Sequence, residues 1–253
     1  MALQEEMEQQ GNFLFRHRSN LPLIILILSL AVFAYQEWAN VPTSIDGIVT
    51  EETFKIICLA VCLFGLLIRI YTVGYTPANT SGRNTAEGQV ADVVNTTGIY
   101  STVRHPLYVG NFFMWLGIAM LTENLWFIVA FCLMYWVYYE RIMYAEEQFL
   151  RKKFAERYTD WAARTPAFIP SFKNFKKPSI PFSIKKVLKK EKNGLLAIFV
   201  LIYLFELVAL AIDGQLEASW NQGIWFYGFI GSGILYIILK GIKKSDFMKE
   251  QGR

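Results

Sequence analysis

"LYVGNFFMWLGIAMLTENLWFIVAFCLMYWVYYERIMY", residues 107–144, is the stretch on which the fold turns. It is too long for one membrane crossing, because about 20 apolar residues suffice to span the hydrocarbon layer. The polar break Thr-Glu-Asn at 122–124 divides it into two spans joined by a tight turn. Working outward, four more windows approach span length: Leu21–Ala39, Thr53–Val73, Gly194–Asp213 and Gly223–Gly241. The expected fold is therefore all-α and integral to a membrane, with six transmembrane helices.

Composition and charge agree with that reading. A chain of 253 residues that is 54% hydrophobic and 18% charged has more apolar surface than one soluble core needs. Six crossings put all but one of the 25 lysines and arginines on the same side; the exception is Lys55. Both termini are then expected in the cytosol, at the inner membrane if the chain is bacterial. The first span is too long for a signal-peptide core and lacks a small-residue cleavage site, so a retained helix is expected. Cys58, Cys62 and Cys132 all fall inside apolar spans, as small hydrophobes rather than a disulfide framework. The organisation expected is a two-helix hairpin at 1–75, a central core at 76–170, a basic interfacial segment at 171–193 and a second hairpin at 194–253. Membrane lipids are the expected partners, with no nucleic acid; the oligomeric state is not legible.

The polar residues collect in two sections on the lysine-rich side. Between spans two and three lies a loop of about 30 residues, a length that points to function or disorder. After span four comes "YAEEQFLRKKFAERYTDWAARTPAFIP", residues 144–170. At about 100° per residue, Tyr144, Leu150, Phe154, Tyr158 and Trp161 share an apolar face. Span four is thus expected to continue as an amphipathic helix to about Ala163. Glu147 falls in the middle of that face and Glu146 near its edge, where a carboxylate is costly unless a cation or hydrogen-bond donor meets it.

Pro106 suits the first turn of span three, which leaves Arg104 and His105 beside backbone N–H groups with no helical partner and the positive end of a helix dipole. That pattern makes an anion site. The plainer reading has Arg104 touching lipid phosphate and His105 as a satisfied boundary histidine. With the acidic helix opposite, the two sections frame a membrane-surface cleft for a molecule carrying both signs of charge. Gly110 would admit a ligand or a neighbouring helix, and Tyr108 would line a pocket or join the aromatic belt. Glu206, an acid inside span five, is read first as a hydrogen-bonded structural group and second as a functional one.

"GIYSTVRHPLYVGN" (98–111), followed by "EEQFLRKKFAERYTDWAARTPAFIP" (146–170), resembles the membrane methyltransferases of the isoprenylcysteine carboxyl methyltransferase and phospholipid methyltransferase family. The shared pattern is RHPxYxG, a helical hairpin, a Glu-Glu pair and a late aromatic-rich, proline-ended segment. The resemblance implies an S-adenosylmethionine site built on the cytosolic helix ends. It implies that Tyr100, His105, Pro106, Tyr108, Gly110, Glu146 and Glu147 bind the cofactor, with Arg104 and Glu147 catalytic, and the aromatic face of Tyr144 would suit the cofactor's sulfonium. Arg104 and Arg83 would then face the acceptor's anion. Phe154-Ala155 departs from the Phe-Gly common in the family, as does Thr165 from a valine.

The loop "SGRNTAEGQVADVVNTTGIYS" further resembles bacterial members that act on a lipid A phosphate, so O-methylation of a lipid phosphate is the expected reaction. Alternatives are a prenylcysteine carboxylate and the amine of phosphatidylethanolamine, which would need His105 or a glutamate as base. Sterol-type reductases share a related scaffold and an RHPNYxG motif with NADPH, but Leu107 and the paired glutamates favour the methyltransferase. A transporter would carry ionisable residues deep in several spans, where this chain has Glu206 alone.

Overall fold

The computed structural model describes residues 2–77, 80, 83–85, 88–216 and 223–242. An amphipathic helix not anticipated from the sequence, α1 (Leu3–Arg16), precedes α2 (Asn20–Ala39) and α3 (Glu51–Gly74). A small antiparallel hairpin follows, β1 (Arg83–Thr85) with β2 (Gly88–Val90). The central pair is α4 (Pro106–Met120) and α5 (Leu125–Phe154), with the short α6 (Glu156–Ala162) after it. Two last helices, α7 (Ile184–Ile212) and α8 (Ile224–Ile242), pack on each other.

Five of these helices, α2, α3, α5, α7 and α8, are long and apolar enough to cross a membrane. The expected third span is a shorter apolar helix of 15 residues, about 22 Å long. The break at 122–124 does turn the chain, and α2 anchors it. Gln36 donates to the Thr122 carbonyl at 3.1 Å, Asn124 donates to Gln36 at 2.8 Å, and the Asn124 side chain caps α5 by accepting from the Phe127 N–H. Polar groups that would otherwise be stranded at a buried turn thereby satisfy each other.

Among the described helices, α3 and α4 have the most extensive packing. Glycine permits it: a methyl group at Gly110 would stand 2.6 Å from Arg69 Cγ and 2.8 Å from the Gly65 carbonyl oxygen. Lys55 of α3, expected on the side opposite the other cations, meets Glu206 of α7 at 2.6 Å, so these two charges neutralise each other. Against α5 lies α1, with Phe15 buried and Gly11 against the Arg141 carbonyl.

Two expectations are corrected. The amphipathic continuation of span four is not one helix to Ala163: it stops at Phe154, and Ala155 adopts φ 44° and ψ −127° before α6 begins. The bend lets Tyr158 and Ala162 pack on Val94 and brings the Trp161 indole N–H onto the Tyr100 carbonyl at 3.1 Å. Burial of these rings offsets the strain of a conformation that favours glycine. The basic segment, secondly, is not wholly a surface strip. From Ile184 it winds into α7, whose first turn is capped by Ser183 accepting from the Lys186 N–H, and Glu191 and Lys192 are buried.

Candidate functional site

The site grows from the backbone that leads into α4. After Gly98, at φ 60°, the chain makes a 3-10 turn at Ile99–Ser101 and reaches His105, the N-cap of α4. The segment after α6 runs alongside. The backbone N–H groups of Arg104 and His105 donate to the carbonyls of Pro166 and Ala167 at 2.9 and 3.2 Å, and Ser171 N–H donates to the Thr102 carbonyl at 2.9 Å. The backbone N–H groups of Arg104 and His105 are thus engaged by residues 166–167 and are not offered to an anion, and Pro106 has none.

What remains at the start of α4 is a side-chain cluster. Successive residues on a helix diverge by about 100°, so Glu146 and Glu147 straddle His105. Glu146 Oε2 lies 3.5 Å from His105 Nδ1 and Glu147 Oε1 lies 3.0 Å from Nε2. Arg104 Nε stands 3.0 Å from the same Glu147 oxygen, and Arg104 Nη1 donates to the Ala162 carbonyl at 3.0 Å. Burial by itself would lower the pKa of the imidazole, but the hydrogen bonds and charges of Glu146 and Glu147 outweigh it and hold His105 above its ordinary value. Burial, followed by the charge of Glu146, pushes the Tyr100 phenol up, and burial followed by Glu147 does the same for Tyr158. His105 also stacks on Tyr108, ring centroids 5.7 Å apart, and the Tyr135 hydroxyl donates to the Tyr108 carbonyl at 2.8 Å.

This cluster opens on a cavity of about 790 Å³ between α2, α3, α4, α5 and α7. Tyr100, Arg104, His105, Pro106, Tyr108 and Glu146 line it. Glu147 stands behind His105 and Arg104 rather than in the wall, and Tyr144 is also outside the lining. Gly110 faces α3, where its lack of a side chain serves the helix crossing. Arg83 opens β1; its side chain lies outside the described residues, although Val90 at the end of β2 reaches the cavity.

Several polar wall residues were not singled out in the sequence, among them Arg69, Asn111 and Glu191, and also Arg18, Lys186 and Lys190. The first two sit inside apolar spans, which was a usable signal; Glu191 is one acid in a lysine run and gave none. Beyond them the wall is apolar, with Met114, Trp115 and Ile118 of α4 facing Ile198 and Leu201 of α7. Among the described residues no group of three His, Cys, Asp or Glu side chains is placed to hold a metal ion.

Comparison with known proteins is consistent with these features. Residues 54–157 match the phospholipid methyltransferase family. The chain is 30% identical over 173 residues to the nickel-cobalt-cadmium resistance protein NccN of Alcaligenes xylosoxydans xylosoxydans, an overlap of 66% of this chain and 71% of that one. It is 31% identical over 163 residues to the cobalt-zinc-cadmium resistance protein CzcN of Cupriavidus metallidurans, covering 63% of this chain and 66% of the relative. The protein-S-isoprenylcysteine O-methyltransferase of Tribolium castaneum is 29% identical over 118 residues, 47% of this chain and 42% of that enzyme. The chain therefore spans less than half the length of that methyltransferase. No solved structure matches.

Proposed function

Because this chain belongs to the isoprenylcysteine carboxyl methyltransferase and phospholipid methyltransferase family of membrane proteins, we propose that it transfers the methyl group of S-adenosylmethionine to an anionic oxygen of a lipid or lipidated acceptor. The observation that carries the reading is one continuous cavity with Glu146, His105 and Tyr100 at its polar end and Ile118 and Leu201 at its apolar end.

The residues present fit the cofactor. Glu146 offers a carboxylate to an ammonium or to ribose hydroxyls, and Tyr100 and Tyr108 offer aromatic faces to a sulfonium. When bound, S-adenosylmethionine supplies a methyl group activated by positive sulfur. The protein's task is to align the acceptor oxygen with that methyl and to exclude water. An ionised phosphate or carboxylate needs no base, so His105 is a positioning group held between two glutamates. Arg104 orients the acceptor's anion, and Glu147 fixes Arg104 and His105 together. Arg83 is the second arginine of the clamp.

The active site and both termini are assigned to the cytosolic side on the lysine and arginine distribution, with α4 as the third of six crossings. Among acceptors, a lipid phosphate of the lipid A type is the finer reading, supported by the cations Lys186 and Lys190 of α7 in the cavity wall. The second reading, a prenylcysteine carboxylate, is favoured by what the isoprenylcysteine O-methyltransferases of Tribolium castaneum and Schizosaccharomyces pombe are named for.

The test is incubation of purified protein with methyl-labelled S-adenosylmethionine and either lipid phosphates or farnesylcysteine, followed by lipid extraction. Label in the lipid phosphate supports the first reading and label in farnesylcysteine the second. No label in either, together with no protection against heat by S-adenosylhomocysteine, overturns both.

A further inference from the structure

About 9 Å along α4 from His105, six residues on, the cavity wall turns polar once more at Asn111. Arg69 of α3 is fixed there. Its Nε and Nη2 donate to Glu191 Oε2 and Oε1 at 2.7 and 2.9 Å, and its Nη1 donates to Asn111 Oδ1 at 2.6 Å. A guanidinium has five N–H groups. Three are committed to these partners among the described residues, which leaves two on a group that lines the cavity.

Packing does not require this arrangement. Burying an ion pair often gains little over apolar residues of the same volume, and charged side chains within apolar helices are candidates for function. Glu191 is 4% exposed and comes from α7, outside the region matched by the family. The pair is also neutral overall, so it offers directed N–H donors without adding net positive charge. Such donors suit an uncharged oxygen better than a second anion.

Resting on the methyltransferase reading, we infer that Arg69, held by Glu191 and Asn111, is a specificity-determining residue that binds a carbonyl oxygen of an ester or amide linkage where the acceptor's headgroup meets its tails. The acceptor is then an acyl lipid. A prenyl chain is pure hydrocarbon at this depth and would leave the two N–H groups without an acceptor, a loss of the kind that makes polar sites selective. Below this level the wall is apolar, as acyl chains need.

The test compares dioleoyl phosphatidate with the dialkyl ether of the same chain length, which lacks both carbonyls, and with farnesylcysteine. Binding is followed by tryptophan quenching with bromine-labelled tails, referenced to Trp115→Phe because Trp115 lines the same cavity. The parent should bind the ester lipid at least tenfold more tightly than the ether lipid, and any difference in turnover should reside in KM rather than kcat. Arg69→Met combined with Glu191→Met removes both charges without stranding either, and should bring the ratio near one while S-adenosylhomocysteine still protects against heat. Arg69→Lys, which keeps the charge but loses the planar fork, should recover only part of the ratio. Equal binding of ester and ether by the parent, or an unchanged ratio in the double variant, overturns the inference and leaves the methyltransferase reading standing. Failure to bind S-adenosylhomocysteine overturns that reading, and the inference with it.

Discussion

At His105 two glutamates from one helix turn meet both ring nitrogens, and the protonated ring is the form they favour. Because its folded pKa lies above the unfolded value near 6.5, the stability it contributes is complete below that value and is lost as pH rises through the raised one. Thermal unfolding measured against pH should show this decline, and His105→Asn should flatten it. Ala155 presents the opposite case, a residue in a backbone conformation that costs an L-amino acid about 1–3 kcal/mol. Ala155→Gly should stabilise the protein by about 1 kcal/mol, seen as a rise in Tm without change in cofactor affinity. Of the proposed site residues, Arg104→Ala should lower turnover at least about 100-fold while S-adenosylhomocysteine binding persists. Glu146→Gln should weaken that binding by about tenfold, the worth of one charge-assisted hydrogen bond. Isothermal titration of both variants separates the two roles.

At the scale of elements, the crossing of α3 and α4 carries both stability and geometry, since Arg69 and Asn111 face each other across it. Gly110→Ala would drive a methyl into Arg69 Cγ and the Gly65 carbonyl, and should cost about 1–3 kcal/mol by overpacking. Its signature would be a lower Tm together with weakened lipid binding, because Arg69 is what must move. Lys55 and Glu206 tie α3 to α7 at the end remote from the cavity. Glu206→Gln should therefore lower Tm and leave KM for lipid and cofactor unchanged; a selective loss of turnover would make Glu206 functional instead.

At the scale of the molecule, the cavity belongs to no single hairpin: α2, α3, α4, α5 and α7 all contribute walls. A ligand that binds only the folded protein stabilises it by linkage, by about 2.7 kcal/mol at a hundredfold excess over its Kd. S-adenosylhomocysteine should raise Tm accordingly and NADPH should not, as expected of a methyltransferase and not a reductase.

The sequence by itself determined the membrane class, the two apolar helices on either side of Thr122–Asn124 and the RHPxYxG and Glu-Glu segments, because hydrophobic run length and a compact motif are local properties of a chain. Tertiary structure alone decided the rest. The Arg69, Asn111 and Glu191 cluster joins residues up to 122 positions apart. The kink at Ala155 arises because burying Tyr158 and seating Trp161 on Tyr100 outweigh the local preference for a straight helix. Glu147 was legible as an acid needing a partner, yet only packing showed that the partners are Arg104 and His105 rather than the cavity itself. Periodicity reports which face of a helix is buried; what meets that face depends on helices distant in sequence.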